Sequence, residues 1–263
     1  MNQSNLNKFP DCGESALGLY PIVDSIAWVY LLLPLGVTTI QLRLKNKKDI
    51  DTENEIKQAI TFAKKFQARL FINDYWQLAI KYKAYGVHLG QENLMHADIP
   101  AIYQAGLRLG ISTHNDAEIE WALTIKPSYI ACGPVFPTTS KKMLFGPLGI
   151  PQLQHWQQTL GSHSKMLIDE AGPVTFVTPS CSQAARDGGP NEGDTRFCKE
   201  QSTSLRQQQT LNYPLVAIGG INLDNLSQVL ATKVNGIAMI SAITQADDPI
   251  ATTQEFLKRI NIA

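Results

Sequence analysis

The chain of 263 residues carries no surplus of positive charge: 23 Lys and Arg stand against 23 Asp and Glu, for a formal net charge of zero. A surface that grips nucleic acid or an anionic membrane needs a basic excess, so any anion site here must be local. Cysteine is scarce. The four present, Cys12, Cys132, Cys181 and Cys198, have spacings that fit neither a zinc site nor a disulfide framework. No uninterrupted apolar run approaches the length of a membrane span, and no charged-then-apolar leader opens these residues. The expectation is a soluble cytoplasmic protein that binds neither nucleic acid nor membrane. Whether it forms a homo-oligomer is left open.

What the chain does have is enough apolar material, 44% of its residues, to bury a full core. Residues 1–16 are polar and irregular and read as a flexible N-terminal tail. From residue 17 to 263, short apolar strands alternate with helical patterns. The strands fall at 19–23, 37–42, 69–72, 86–89, 107–112, 129–132, 215–218 and 236–240, and the helices near 25–34, 52–67, 75–83, 98–105, 115–124, 150–160, 222–231 and 248–260. Eight strands, each followed by a helix, predict an α/β protein with a closed (β/α)8 TIM barrel rather than an open sheet. One stretch breaks the rhythm. Residues 161–210, between the sixth helix and the seventh strand, are rich in Gly, Ser, Gln, Pro and Asp and read as a long disordered insert in the catalytic barrel. It enters at the face opposite the strand C-termini, where barrel chemistry sits.

Polar residues gather at the strand ends. The second strand runs into Gln41-Leu42-Arg43-Leu44-Lys45. Alternation puts Gln41, Arg43 and Lys45 on one face and Leu42 and Leu44 on the other, toward the helices. Two unpaired cations and an amide do not belong inside an ordinary barrel. Asn73-Asp74 follows the third strand, His88 to Asn93 the fourth, Ser112-Thr113-His114 the fifth, Gly133 to Lys142 the sixth, Gly219-Gly220 the seventh and Ile240-Ser241 the eighth. Singly each is bland. Asp74 reads as a helix cap, Ser112 and Ser241 as caps or turn residues, and His114 as an orienting or core histidine rather than a catalytic one. Jointly they suggest more. Loops after the seventh and eighth strands often bind phosphate, and glycine lets backbone N–H groups approach an anion. Arg43, Lys45 and Lys141 supply more charge than a monophosphate needs, and Asp74 beside them suggests Mg²⁺. Two anionic substrates, one a diphosphate with Mg²⁺, are what these residues suggest.

At this point the chain resembles the thiamine-phosphate synthase family. The likeness is carried by residues 18–24, Gln41 to Lys45, residues 70–74, 86–92, 109–114, 133–138, 217–221 and 240–243, in order, one at each strand end. It implies condensation of 4-amino-2-methyl-5-pyrimidinylmethyl diphosphate with a plain or carboxylated methyl-thiazolyl-ethyl phosphate, giving thiamine monophosphate and pyrophosphate. It also implies that Gln41, Leu42, Arg43, Leu44, Lys45, Asn73, Ser112 and Lys141 bind the pyrimidine diphosphate, with Arg43, Lys45, Ser112 and Lys141 catalytic. Thr138, Thr139, Ser140, Gly220, Ile240 and Ser241 would bind the thiazole phosphate. Asp74 would ligate Mg²⁺.

The chain departs from that pattern in two places. Asn93 stands where the family has a second magnesium carboxylate, which keeps an oxygen ligand but removes a charge. The insert is the other departure. Three other readings remain: a non-catalytic thiazole-phosphate-binding or regulatory relative, a thiazole tautomerase of the same fold, and a barrel isomerase that shares only the phosphate grip. The tautomerase would not need Gln41, Arg43, Lys45 or Asp74.

Overall fold

The computed structural model describes residues 8–45, 49–138, 146–170 and 213–262, with residues 161–170 described as helix backbone alone. Eight parallel strands close on themselves in chain order: β1 (Gly18–Val23), β2 (Thr39–Leu42), β3 (Arg69–Asn73), β4 (Gly86–Leu89), β5 (Arg108–Thr113), β6 (Tyr129–Cys132), β7 (Leu215–Ile218) and β8 (Gly236–Met239), with β8 pairing back to β1. Around them run α1 (Ile26–Leu32), α2 (Asp49–Lys65), α3 (Trp76–Lys81), α4 (Gln91–Leu94), α5 (Ile99–Gln104), α6 (Asp116–Ile125), α7 (Gly149–Glu170), α8 (Leu226–Leu230), α9 (Ser241–Thr244) and α10 (Pro249–Ile262). This is the (β/α)8 barrel that the eightfold alternation predicts.

Strand alternation sorts the apolar residues into two cores. Outward-facing Ile40, Leu42, Leu70, Ile72, Val87 and Leu89, with their counterparts on the other strands, pack against the helices. Inside the barrel Tyr20, Ile22, Phe71, Tyr129, Ala131, Val216 and Ala238 form a second, smaller cluster. Its three rings meet at centroid distances of 5.1 to 6.0 Å, within the range at which edge and tilted aromatic contacts are favourable. These rings are the floor on which the site stands.

One expectation needs correction. Residues 8–16 are not a loose tail. Phe9 and Cys12 are buried, and the segment closes the barrel's N-terminal end. The buried Arg69 guanidinium donates to the carbonyls of Cys12, Ser15 and Ala16 at 3.2, 3.0 and 2.7 Å. Arg108 Nε donates to Asp11 O, and the Tyr85 hydroxyl donates to Cys12 O. A polar sequence conceals this because the acceptors are backbone groups, which every residue has. Within the region of the expected insert, α7 runs on as helix backbone to Glu170. Residues 171–210 of it lie outside the described residues.

Arg69→Met should lower the unfolding free energy by about 2–4 kcal/mol. The change keeps an apolar stem but strands three carbonyls that a charged donor had satisfied. Urea denaturation would measure it. A loss within about 0.5 kcal/mol, as for an ordinary surface substitution, would mean that the segment is not held by this clamp.

Candidate active site

The inward positions change character along the barrel axis. Arg69 and Arg108 lie at the closed end, the rings of Tyr20, Phe71 and Tyr129 follow, and Gln41, Asn73, His88 and Ser112 come next. Above them opens a cavity of about 450 Å³ at the C-terminal mouth. It brings together Gln41, Arg43, Asn73, Asp74, Asn93, Ser112, Thr138, Gly220, Ile240 and Ser241, contributed by seven of the eight strands or the loops that follow them.

Arg43 and Asp74 dominate its electrostatics. Half-buried Arg43 makes no ion pair among the described residues; burial lowers its pKa while Asp74 opposes that effect, and a guanidinium stays charged regardless. Asp74 does not cap α3. The cap position belongs to Tyr75, and Asp74 itself sits at φ 65°, in the left-handed region where Asp is tolerated at some cost. Burial raises the pKa of its carboxyl, while hydrogen bonds from Asn93 and Asn73, the Arg43 charge and the Gly90 backbone hold it down. Asn73 Nδ2 donates to Asp74 Oδ2 at 2.5 Å. Asn93 and Asp74 are therefore neighbours.

Other expected residues fall elsewhere. Leu42 and Leu44 are buried in the outer core, so only their backbone is available to a ligand at the mouth. Lys45 is exposed just beyond β2 and is not part of the cavity wall. Thr139, Ser140 and Lys141 lie outside the described residues.

The structure adds groups that the sequence did not assign. His88 is buried, stacked on Tyr129, with Nδ1 2.7 Å from the Tyr129 hydroxyl and Nε2 2.8 Å from Ser112 Oγ. A histidine at an inward position of an otherwise apolar strand was the available signal. Gln91 Nε2 donates to Ser112 O at 2.6 Å, and Glu92 lines the rim. His114 Nδ1 lies 2.8 Å from Glu118 Oε2, which also accepts from the His114 backbone N–H.

After β6 and β7 the two loops lock together. Val135 N donates to Ile218 O, and Phe136 N donates to Gly219 O. Gly219 and Gly220 have φ 96° and 67°, and a Cβ on Gly220 would fall 2.4 Å from Pro137 O. Only glycine fits there.

The family model described as thiamine monophosphate synthase matches residues 19–167 and 199–243. The chain belongs to this family. A thiamine-phosphate synthase of Proteus mirabilis is 45% identical over 260 residues, covering 99% of this chain and 97% of the relative. One from Salmonella paratyphi B is 47% identical over 241 residues, covering 92% and 90%. Among solved structures, thiamine phosphate pyrophosphorylase from Pyrococcus furiosus superposes with a TM-score of 0.65 at 25% identity, covering 93% of this chain and 95% of that one. Family membership and the closed barrel thus agree.

Gly220→Ala should destabilise the fold by about 1–3 kcal/mol, the usual cost of a strained non-glycine backbone, and loosen the two interlocked loops. Thermal unfolding would measure it. An unchanged midpoint would show that the loops yield without cost.

Proposed function

We propose that the cavity joins 4-amino-2-methyl-5-pyrimidinylmethyl diphosphate to 4-methyl-5-(2-phosphoethyl)thiazole, plain or carboxylated, releasing thiamine monophosphate and pyrophosphate, together with carbon dioxide when the thiazole is carboxylated. The observation that carries this reading is the gathering of Gln41, Arg43, Asn73, Asp74 and Ser112 in one cavity beside the Gly219-Gly220 loop, in a chain of this family. A thiazole tautomerase or a phosphate-gripping isomerase would have no use for the Arg43–Asp74 side.

The reaction is a substitution with a dissociative character. The pyrimidinylmethyl C–O bond breaks and its electron pair leaves with pyrophosphate. The thiazole nitrogen lone pair then forms the new C–N bond. Charge grows on the departing oxygens, so the protein's contribution is a fixed cation and a fixed geometry. Arg43, held by the ladder bond from its own N–H to Val23 O, faces that charge from one side. Lys141 would meet it from the loop after β6. Gln41, Asn73 and Ser112 hold the pyrimidine, and Thr138, Thr139, Ser140, Gly220, Ile240 and Ser241 hold the thiazole phosphate. Leu42, Leu44 and Lys45 contribute at most backbone contacts and long-range charge.

Mg²⁺ suits the donors present. Among the described residues no group of three or more His, Cys, Asp and Glu gathers as a metal cage. Magnesium does not need one: one or two protein oxygens plus substrate phosphates and water suffice. Asp74 carboxylate and Asn93 Oδ1 would hold it, and when bound it would neutralise charge on the diphosphate.

The direct test is to incubate both substrates with Mg²⁺ and assay thiamine phosphate and pyrophosphate. Failure to form either would sink the reading. Arg43→Ala and Lys141→Ala should each lower kcat/KM by at least about 100-fold, the scale of a lost charge-stabilising donor, with unaltered circular dichroism. Near wild-type rates for both would remove them from the mechanism. Asn93→Asp sets a second carboxylate against Asp74. It should lower the Mg²⁺ concentration for half-maximal rate roughly tenfold, about 1.4 kcal/mol. Identical Mg²⁺ titrations for the two proteins would place position 93 outside the metal shell.

A further inference from the structure

Below the cavity runs an unbroken hydrogen-bonded relay. Gln41 Nε2 donates to the Tyr20 hydroxyl at 3.2 Å, Tyr20 and Tyr129 hydroxyls meet at 2.8 Å, and His88 links Tyr129 to Ser112 through its two ring nitrogens. The five side chains come from β2, β1, β6, β4 and β5. Gln41, His88 and Ser112 line the cavity, whereas Tyr20 and Tyr129 are sealed beneath it. Burial pushes both phenols well above their ordinary pKa, so each carries one proton to place.

Those protons have one consistent arrangement once the Gln41 amide is set. Tyr20 oxygen accepts from Gln41, so its proton goes to Tyr129, the other atom bonded to it. The Tyr129 proton then has His88 Nδ1 as its acceptor. Nδ1 must be bare, and the neutral ring carries its hydrogen on Nε2, directed at Ser112 Oγ. The Ser112 proton is left for the cavity. Reversing a link between the phenols or from Tyr129 to the ring strands a phenol proton where no acceptor remains, and reversing the last link alone leaves the ring with no hydrogen on either nitrogen; both arrangements are destabilising in a buried site. Turning the amide over reverses every link together, so the two ends always have opposite polarity.

We propose that Tyr20, Tyr129 and His88 are positioning residues that fix Gln41 as a hydrogen-bond acceptor and Ser112 as a donor toward the cavity. Gln41 and Ser112 stand on β2 and β5, with β3 and β4 between them. A flat heterocycle lying between them is accepted when it offers an amino group to one side and an unprotonated ring nitrogen to the other. The 4-oxo form of the same ring puts an acceptor where the amino donor was, facing the Gln41 acceptor, and is rejected. The inference rests on assigning this cavity to the pyrimidine diphosphate; the relay itself does not.

Nitrogen-15 NMR of the histidine-labelled full chain tests the relay directly, with His88 identified by its loss in His88→Asn. A neutral ring protonated at Nε2 is expected near pH 7. An Nδ1–H tautomer or an imidazolium would overturn the proposal. Kinetics supply the second arm, as the ratio of kcat/KM for the 4-amino substrate over its 4-oxo analogue. Tyr129→Phe should erode that ratio at least tenfold, chiefly through KM for the amino substrate, because intrinsic reactivity cancels between the two proteins. Tyr20→Phe serves if the first variant does not fold. A folded variant with undiminished discrimination would overturn the proposal. If the wild-type protein formed no thiamine phosphate yet showed the Nε2–H tautomer, the assigned reaction would fall and the relay would stand.

Discussion

The interior of an eight-stranded barrel holds few side chains, and here three of them are aromatic rings. That filling requires missing side chains elsewhere. A Cβ on Gly110 would lie 2.1 Å from Tyr129 Cζ, and one on Gly86 would lie 2.5 Å from Phe71 Cε1. Pairing registers bring these residues side by side, Gly110 opposite Tyr129 and Phe71 opposite Gly86. The rings therefore occupy the volume that two glycines vacate. Everything above depends on this. With the floor filled, polar inward residues find room only toward the C-terminal mouth, and Tyr20 and Tyr129 present their hydroxyls to the residues that line it.

A neutral chain with a strongly polarised cavity follows from the same geometry. Arg43 and Asp74 lie close enough to influence one another but are partly withdrawn from water, where charges are screened less than on the surface. Net charge says nothing of such a site because its cation and carboxylate cancel in the count. The backbone contributes as well: the left-handed Asp74 and the two glycines after β7 place polar groups where regular strands could not.

Much of this was legible in the sequence because it rests on period-two alternation. Gln41 and Arg43 face the cavity and Leu42 and Leu44 the helices, and all eight strands lie within two or so residues of their predicted bounds. What stayed hidden has local causes. Single-turn helices such as α4 and α9 have too few residues to show a period. Residues 8–16 are held through their carbonyls, a feature no side-chain pattern encodes. His88, Tyr20 and Tyr129 were visible as inward residues, but their connection depends on strands far apart in sequence meeting in the closed barrel.

The clamp on residues 8–16 has a consequence for the order in which the molecule comes together. Its acceptors precede β1, but its donors sit on β3 and β5, 53 to 57 residues downstream for Arg69 and 97 for Arg108. Contacts that span so much chain must wait until the intervening loop-closure entropy has been offset by strand pairing. The residues that precede the barrel in the chain are thus among the last to settle, as a stopper fitted only once the vessel has been built.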